Sequence, residues 1–136
     1  MTEEACRKAI HARSGGLCEV DPTHPADEAS HRLSRAHSPS RWLWSPTNLL
    51  HLCRAHHAAL HADPAAAYAG GWHLRAGQSP PLSPVWLAVP WPGWWLIVDP
   101  PDGPHLLVPV AADGVGLPDR PTLPALARRV GVDTTP

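Results

Sequence analysis

Between Thr2 and Arg13 the apolar residues Ala5, Cys6, Ala9, Ile10 and Ala12 recur with helical spacing, which predicts a short helix over residues 2–13. Thr2 stands at its N-cap, Glu3 and Glu4 lie near the positive end of its dipole, and Gly15-Gly16 stops it. Residues 17–36 read as short strand-like pieces around the turn Asp21-Pro22-Thr23-His24-Pro25, and residues 37–47 as a loop containing Trp42 and Trp44. From Asn48 an apolar run leads into a helix ending near Ala62, and Asp63-Pro64 starts a second short helix closed by Gly70-Gly71. The pattern then changes. Residues 76–84 form a Pro/Ser linker, and three apolar runs follow at Val85–Val89, Trp94–Asp99 and His105–Val110. Pro-Gly-containing turns separate the runs, so they predict an antiparallel meander. Residues 111–136 read as a loosely ordered tail with a short helix from Thr122 to Gly131.

Composition narrows the class. The 136 residues suit one domain with an appendage, and 18 Pro with 10 Gly exclude a long helical bundle or coiled coil. No apolar run is long enough for a membrane helix, and the acidic start Met1-Thr2-Glu3-Glu4 predicts no secretory signal, so a cytoplasmic location is expected. Three Cys do not suit a disulfide-stapled fold. Seven Trp are present without Phe, and the five between Trp72 and Trp95 are read as the core of a small sheet rather than as stacking platforms. The net charge of −1 conceals a division: residues 29–75 carry five Arg against Asp63 alone, together with seven of the ten His. A basic segment inside a neutral chain can attract a polyanion.

The candidate chemistry lies in that segment. His57 and His61 are four residues apart, which on a helix sets both imidazoles on one face, as a two-ligand metal grip requires. His31 lies upstream on a predicted strand, Asn48 precedes His57 by nine residues, and Cys53-x-x-His56 overlaps the same helix.

These residues resemble the HNH endonucleases and their ββα-metal core. The likeness is carried by Arg13-Ser14-Gly15-Gly16-Leu17-Cys18-Glu19-Val20, by Ala29-Ser30-His31-Arg32, and by the stretch from Asn48-Leu49-Leu50 through Leu52-Cys53, His56-His57 and His61-Ala62 to Pro64, continuing to Gly71-Trp72. It covers about residues 5–75 and is most similar to small HNH proteins of actinobacterial phages and their hosts, some encoded beside packaging proteins. The fold implied is α+β: a zinc-stapled ββα-metal core over residues 1–75 with an N-terminal helix, followed by the small antiparallel meander over 85–110. The activity implied is metal-dependent hydrolysis of DNA phosphodiesters. His31 aligns with the general base, Asn48 with the residue that fixes the catalytic loop and orients that base, and His57 and His61 with ligands of a divalent ion (Mg, Mn, Ni or Zn) that stabilises the phosphorane and the leaving oxygen. Low sequence specificity is implied, with backbone contacts at the minor groove. DNA is the expected partner, phage packaging proteins are a further one, and a membrane is not.

Two departures matter. Ser30 stands where the family often has an Asp or His as a further ligand. Many relatives also hold a structural zinc on two Cys-x-x-Cys knuckles. Here the second knuckle is Cys53-x-x-His56 and the first has only Cys18, with His24 as the proposed fourth donor and Asp21 as the alternative. Arg32, Arg35, Arg41 and Arg54 flank the proposed site and are assigned to phosphate contacts. Cys6 is assigned to the core and Trp72 to packing. His37, in the Arg-rich loop from Arg35 to Arg41, is read either as a phosphate contact or as a solvated loop histidine, and His11, His51, His73, Arg75 and His105 receive no role. The alternative function is a catalytically inactive zinc-binding module for nucleic acid or protein.

Overall fold

The computed structural model describes residues 1–126. The chain is α+β, with helices α1 (Glu3–Ser14), α2 (Ser40–Leu43), α3 (Arg54–Ala62) and α4 (Pro64–Ala69). Strands β1 (Glu28–His31) and β2 (Leu49–Leu52) make one antiparallel sheet, and β3 (Val85–Leu87), β4 (Gly93–Val98) and β5 (Leu106–Val110) make the other, in that order. Thr2 caps α1 through the Ala5 amide, and Gly15 ends it in the left-handed region, as the sequence predicts. The three C-terminal apolar runs form the expected meander.

Some expectations change. Leu49–Leu52, read as a lead into a helix, is itself a strand paired with β1, His31 facing Leu49 and Ser30 facing Leu50. A four-residue apolar run has no resolvable period, so only its partner strand decides its form. The loop over 37–47 contains the single turn α2. In the tail, residues 121–126 carry no helix, and the rest of the expected helix up to Gly131 lies outside the described residues.

One buried cluster runs through both halves. Cys18, Leu50, Leu52 and Leu60 pack with Trp72, Trp86, Trp95 and Ile97. Four of the five Trp between 72 and 95 are buried, and Trp91 is exposed. Backbone bonds fasten the meander to the rest: Trp86 donates to Gly70 O at 3.0 Å and Ala88 to Glu19 O at 2.7 Å. The Trp72 indole N–H donates to Trp86 O at 2.7 Å. Gly71 makes this seam possible. Its φ is +75°, and a Cβ there would lie 2.1 Å from Pro84 O.

The segment 76–84, read as a linker, is held by Arg32. That side chain is 1% exposed, and its guanidinium donates to Gly71 O, Thr47 O, Pro80 O, Ser83 O and Pro84 O at 2.8–3.4 Å. Burial, and then the charge of Arg13, lowers its pKa to about 9, which leaves it charged at neutral pH. Arg32 is therefore not free for a phosphate, which corrects its assignment to DNA. Its five donors close backbone acceptors that would otherwise be sealed in without partners. Arg32→Met is expected to destabilise the fold by more than ~3 kcal/mol, since each orphaned acceptor costs about 1–3 kcal/mol. Urea unfolding measures this.

A second buried polar lock joins α1 to the sheet. Arg13 and Glu19 pair at 2.7 Å with side chains 4% and 0% exposed. Glu19 also accepts from His51 N, and Arg13 donates to Pro46 O and Leu49 O. His105 Nε2 lies 3.4 Å from Arg13 Nη1. Burial, followed by the Arg13 charge, lowers the His105 pKa to about 4 from its ordinary 6.5. Between those values the unfolded chain binds the proton and the folded chain does not. His105 therefore contributes stability that is present above pH 6.5 and is lost as the pH falls toward 4. Thermal unfolding across that range should show the loss, and His105→Gln should make it smaller, with the depressed His73 still contributing.

Candidate functional site

β1, the loop after it, α3 and the stretch from Tyr68 to Ala76 together shape a cavity of about 740 Å³. His31, His57 and His61 all line it, and so do His37 and His73. Arg7, Arg35 and Arg75 stand on its rim, and none of the described residues that line it is acidic. Two side chains of α3 and one of β1 thus line one basic concavity.

His31 closes β1. Its Nε2 lies 2.8 Å from Leu43 O, an atom that can only accept. Nε2 therefore carries the ring proton and Nδ1 keeps the lone pair. Trp44 packs against the ring at a centroid distance of 4.9 Å, and Arg7 and Arg35 each lie 5.4 Å from the Trp44 ring. Burial lowers the His31 pKa below its ordinary value, the bond to Leu43 opposes this, and the charges of Arg35 and Arg7 add to the depression. The ring is neutral at physiological pH, the state a proton acceptor needs.

Asn48 is fully buried, and its side chain makes its hydrogen bonds to residues other than His31. Its Oδ1 accepts from Leu33 N at 2.7 Å, and its Nδ2 lies 3.2–3.3 Å from Leu33 O, Ser38 Oγ and Trp42 O. The expected direct hydrogen bond to the base is replaced by a clamp on the loop over 33–42. The residue after that loop, Leu43, supplies the carbonyl that holds His31.

On α3, the His57 and His61 rings stand 5.0 Å apart, the one-face arrangement that their spacing predicts. Glu28 Oε1 is 2.7 Å from His57 Nδ1, which fixes that ring and leaves Nε2 free. The His57 hydrogen bond, ahead of that from Arg54, holds the Glu28 carboxyl below its usual range, against desolvation. A carboxylate behind the far nitrogen of a histidine is the outer shell that metal-binding histidines commonly have. Glu28 escaped sequence reading because its spacing to His57 reflects strand-to-helix packing, which has no local period. Ser30 is fully buried with its hydroxyl unpartnered, on the strand face opposite His31.

Of the assigned arginines, Arg35 borders the cavity, whereas Arg41 stacks on Trp42 at 5.3 Å and Arg54 pairs with Glu28 at 3.2 Å. Arg7 and Arg75, which received no role, are on the rim. Arg75 lies 4.1 Å from the Tyr68 ring. The clustering of Arg between 29 and 75 does not tell which of these side chains reach the cavity.

A second cluster lies on the other side of α3. Cys18, Cys53 and His56 offer ligand atoms within 4.8 Å of one another, and so do Asp21, His24 and His56. Cys18 comes from the hairpin closed by the Leu17–Pro25 bridge, and Cys53 is the N-cap of α3. Cys53 Sγ lies 3.0 Å from His56 Nδ1 and 3.4 Å from His24 Nδ1. Burial depresses the His56 pKa, which keeps its lone pair, and raises the Cys53 thiol to about 11. A bound cation would reverse the latter by holding the thiolate. These five residues could bind a metal such as zinc.

No protein-family model, curated protein or solved structure matches the chain. Among the described residues, no helix is long and apolar enough to cross a membrane.

Proposed function

We propose that the chain is a metal-dependent HNH-type endonuclease that hydrolyses DNA phosphodiesters. The carrying observation is the convergence of His31, His57 and His61 on one basic cavity with no acidic lining among the described residues. His31 Nδ1 takes the proton from water as the oxygen attacks phosphorus, and Nε2–H stays tied to Leu43 O. His57 and His61 would hold the divalent ion, which supplies charge stabilisation at the phosphoryl and leaving oxygens. Glu28 keeps the His57 ring in place, and Arg7, Arg35 and Arg75 draw the phosphate backbone to the mouth. The ββα arrangement of β1, β2 and α3 supports the same reading. The cluster of Cys18, Cys53 and His56 with His24 or Asp21 is then a structural zinc site joining hairpin to helix.

Purified protein should nick supercoiled plasmid with Mg²⁺, Mn²⁺ or Ni²⁺ and not with EDTA. Ser30 supports one second reading, because its side chain cannot reach the cavity from its buried position. An inactive module of this kind would retard DNA in a gel and cut nothing.

A further inference from the structure

With Ser30 turned into the protein, β1 adds no third ligand to His57 and His61. The cavity contains another imidazole. His73 lines the same space, and its ring centroid lies 4.9 Å from His61, which in turn stands 5.0 Å from His57. Its Nε2 is sealed from solvent and has no hydrogen-bond partner. Such an orphaned nitrogen is uncommon in a folded protein and points to an ion or water that completes it. The backbone that carries it is fixed on both sides. Trp72 is anchored through its indole to Trp86 O, and Leu74 bridges to Leu33, with its amide on Arg32 O at 2.7 Å.

We propose that His73 is the third nitrogen ligand of a three-histidine site with His57 and His61, and that this site takes nickel, cobalt or zinc in preference to magnesium. The proposal rests on reading the cavity as a metal site and extends it to the ligand set and the class of ion. Imidazole donors suit late first-row ions, while magnesium wants oxygen ligands, and no carboxylate of the described residues lines this cavity. Three protein ligands leave positions open for water and a phosphate oxygen. Glu28 on His57 Nδ1 already directs that ring's Nε2 away from itself.

The test is calorimetric titration of Ni²⁺ into protein whose thiolate cluster has first been saturated with zinc. Wild type should bind one further equivalent, and excess Mg²⁺ should not displace it. His73→Gln should weaken the binding by about tenfold or more, a change of ~1.4 kcal/mol. His37→Gln, which alters another cavity histidine, should leave it unchanged. Co²⁺ at this site should give d–d absorption without thiolate charge transfer. Its paramagnetism should shift the imidazole resonances of His57, His61 and His73 in the unaltered protein, a readout that survives if His73→Gln fails to fold. Equal nickel affinity in a folded His73→Gln variant, displacement by Mg²⁺, or an unshifted His73 resonance would overturn the assignment. Nickel binding that needs His73, found without any nicking, would sustain the three-histidine site and remove the nuclease reading. Nicking with nickel affinity unmoved in His73→Gln would do the reverse.

Discussion

His31→Ala is expected to reduce plasmid nicking by a factor of about 10²–10⁴, the range that a positioned general base contributes. The geometry makes the substitution a clean one. His31 pairs with Leu49 through the backbone of β1, and that pairing does not depend on the side chain. The carbonyl of Leu43 loses its donor, but Leu43 is only half-buried and water can replace the imidazole, so stability should fall by about 1 kcal/mol or less. The ring now stands neutral against Trp44 beside two arginines. Losing it removes the proton acceptor and leaves the basic rim intact, so DNA binding by gel shift should persist. Nicking rates and thermal unfolding of the same preparations separate the two effects. Activity retained in the folded variant would take His31 out of the chemistry.

Stripping metal from the Cys18–Cys53–His56 cluster should affect the fold more than any single core substitution. Structural zinc in small domains contributes apparent free energies of about 10–16 kcal/mol, comparable with the ~5–15 kcal/mol net stability of a typical domain. Here the cluster ties the Leu17–Pro25 hairpin to the start of α3, the helix that carries His57 and His61. Without an ion, the buried Cys53 thiol rises to about 11 and stays protonated beside His56. The protein as purified should hold one zinc. Chelation or Cys53→Ser should remove most of its cooperative melting transition. Metal-free protein with an unchanged melt would show that the cluster is only packing.

The sequence made some of this legible and not the rest, for physical reasons. Local signals carried well: the Thr2 cap, the meander with its turns, and the helical spacing of His57 and His61 all depend on near neighbours in the chain. The proximity of Cys18, His24, Cys53 and His56 was likewise readable, because thiol and imidazole at such spacings have few other uses. What escaped was decided by tertiary packing. Arg32 has the chemistry of a phosphate ligand, yet five carbonyls from three segments surround it. Asn48 was expected on His31 and instead clamps the loop before Leu43, whose carbonyl accepts from His31. Glu28, Arg7 and Arg75 reach the cavity region from elements with no sequence relation to α3. The Pro/Ser segment 76–84 looked like a tether because Leu82 is its one large apolar residue, and that side chain is exposed. It is held by the Arg32 cation and by its buried Pro80.

Cleavage of DNA at the basic cavity through an ion on α3 has one direct test. Wild-type protein and a His57→Ala/His61→Ala variant, both zinc-loaded and both folded, should be compared on supercoiled plasmid at one divalent-ion concentration. Wild type should convert the plasmid to nicked circles and stop doing so with EDTA, and the variant should convert none. Equal cleavage by both proteins, or none by either with any of Mg²⁺, Mn²⁺ and Ni²⁺, would contradict cleavage through an ion on α3.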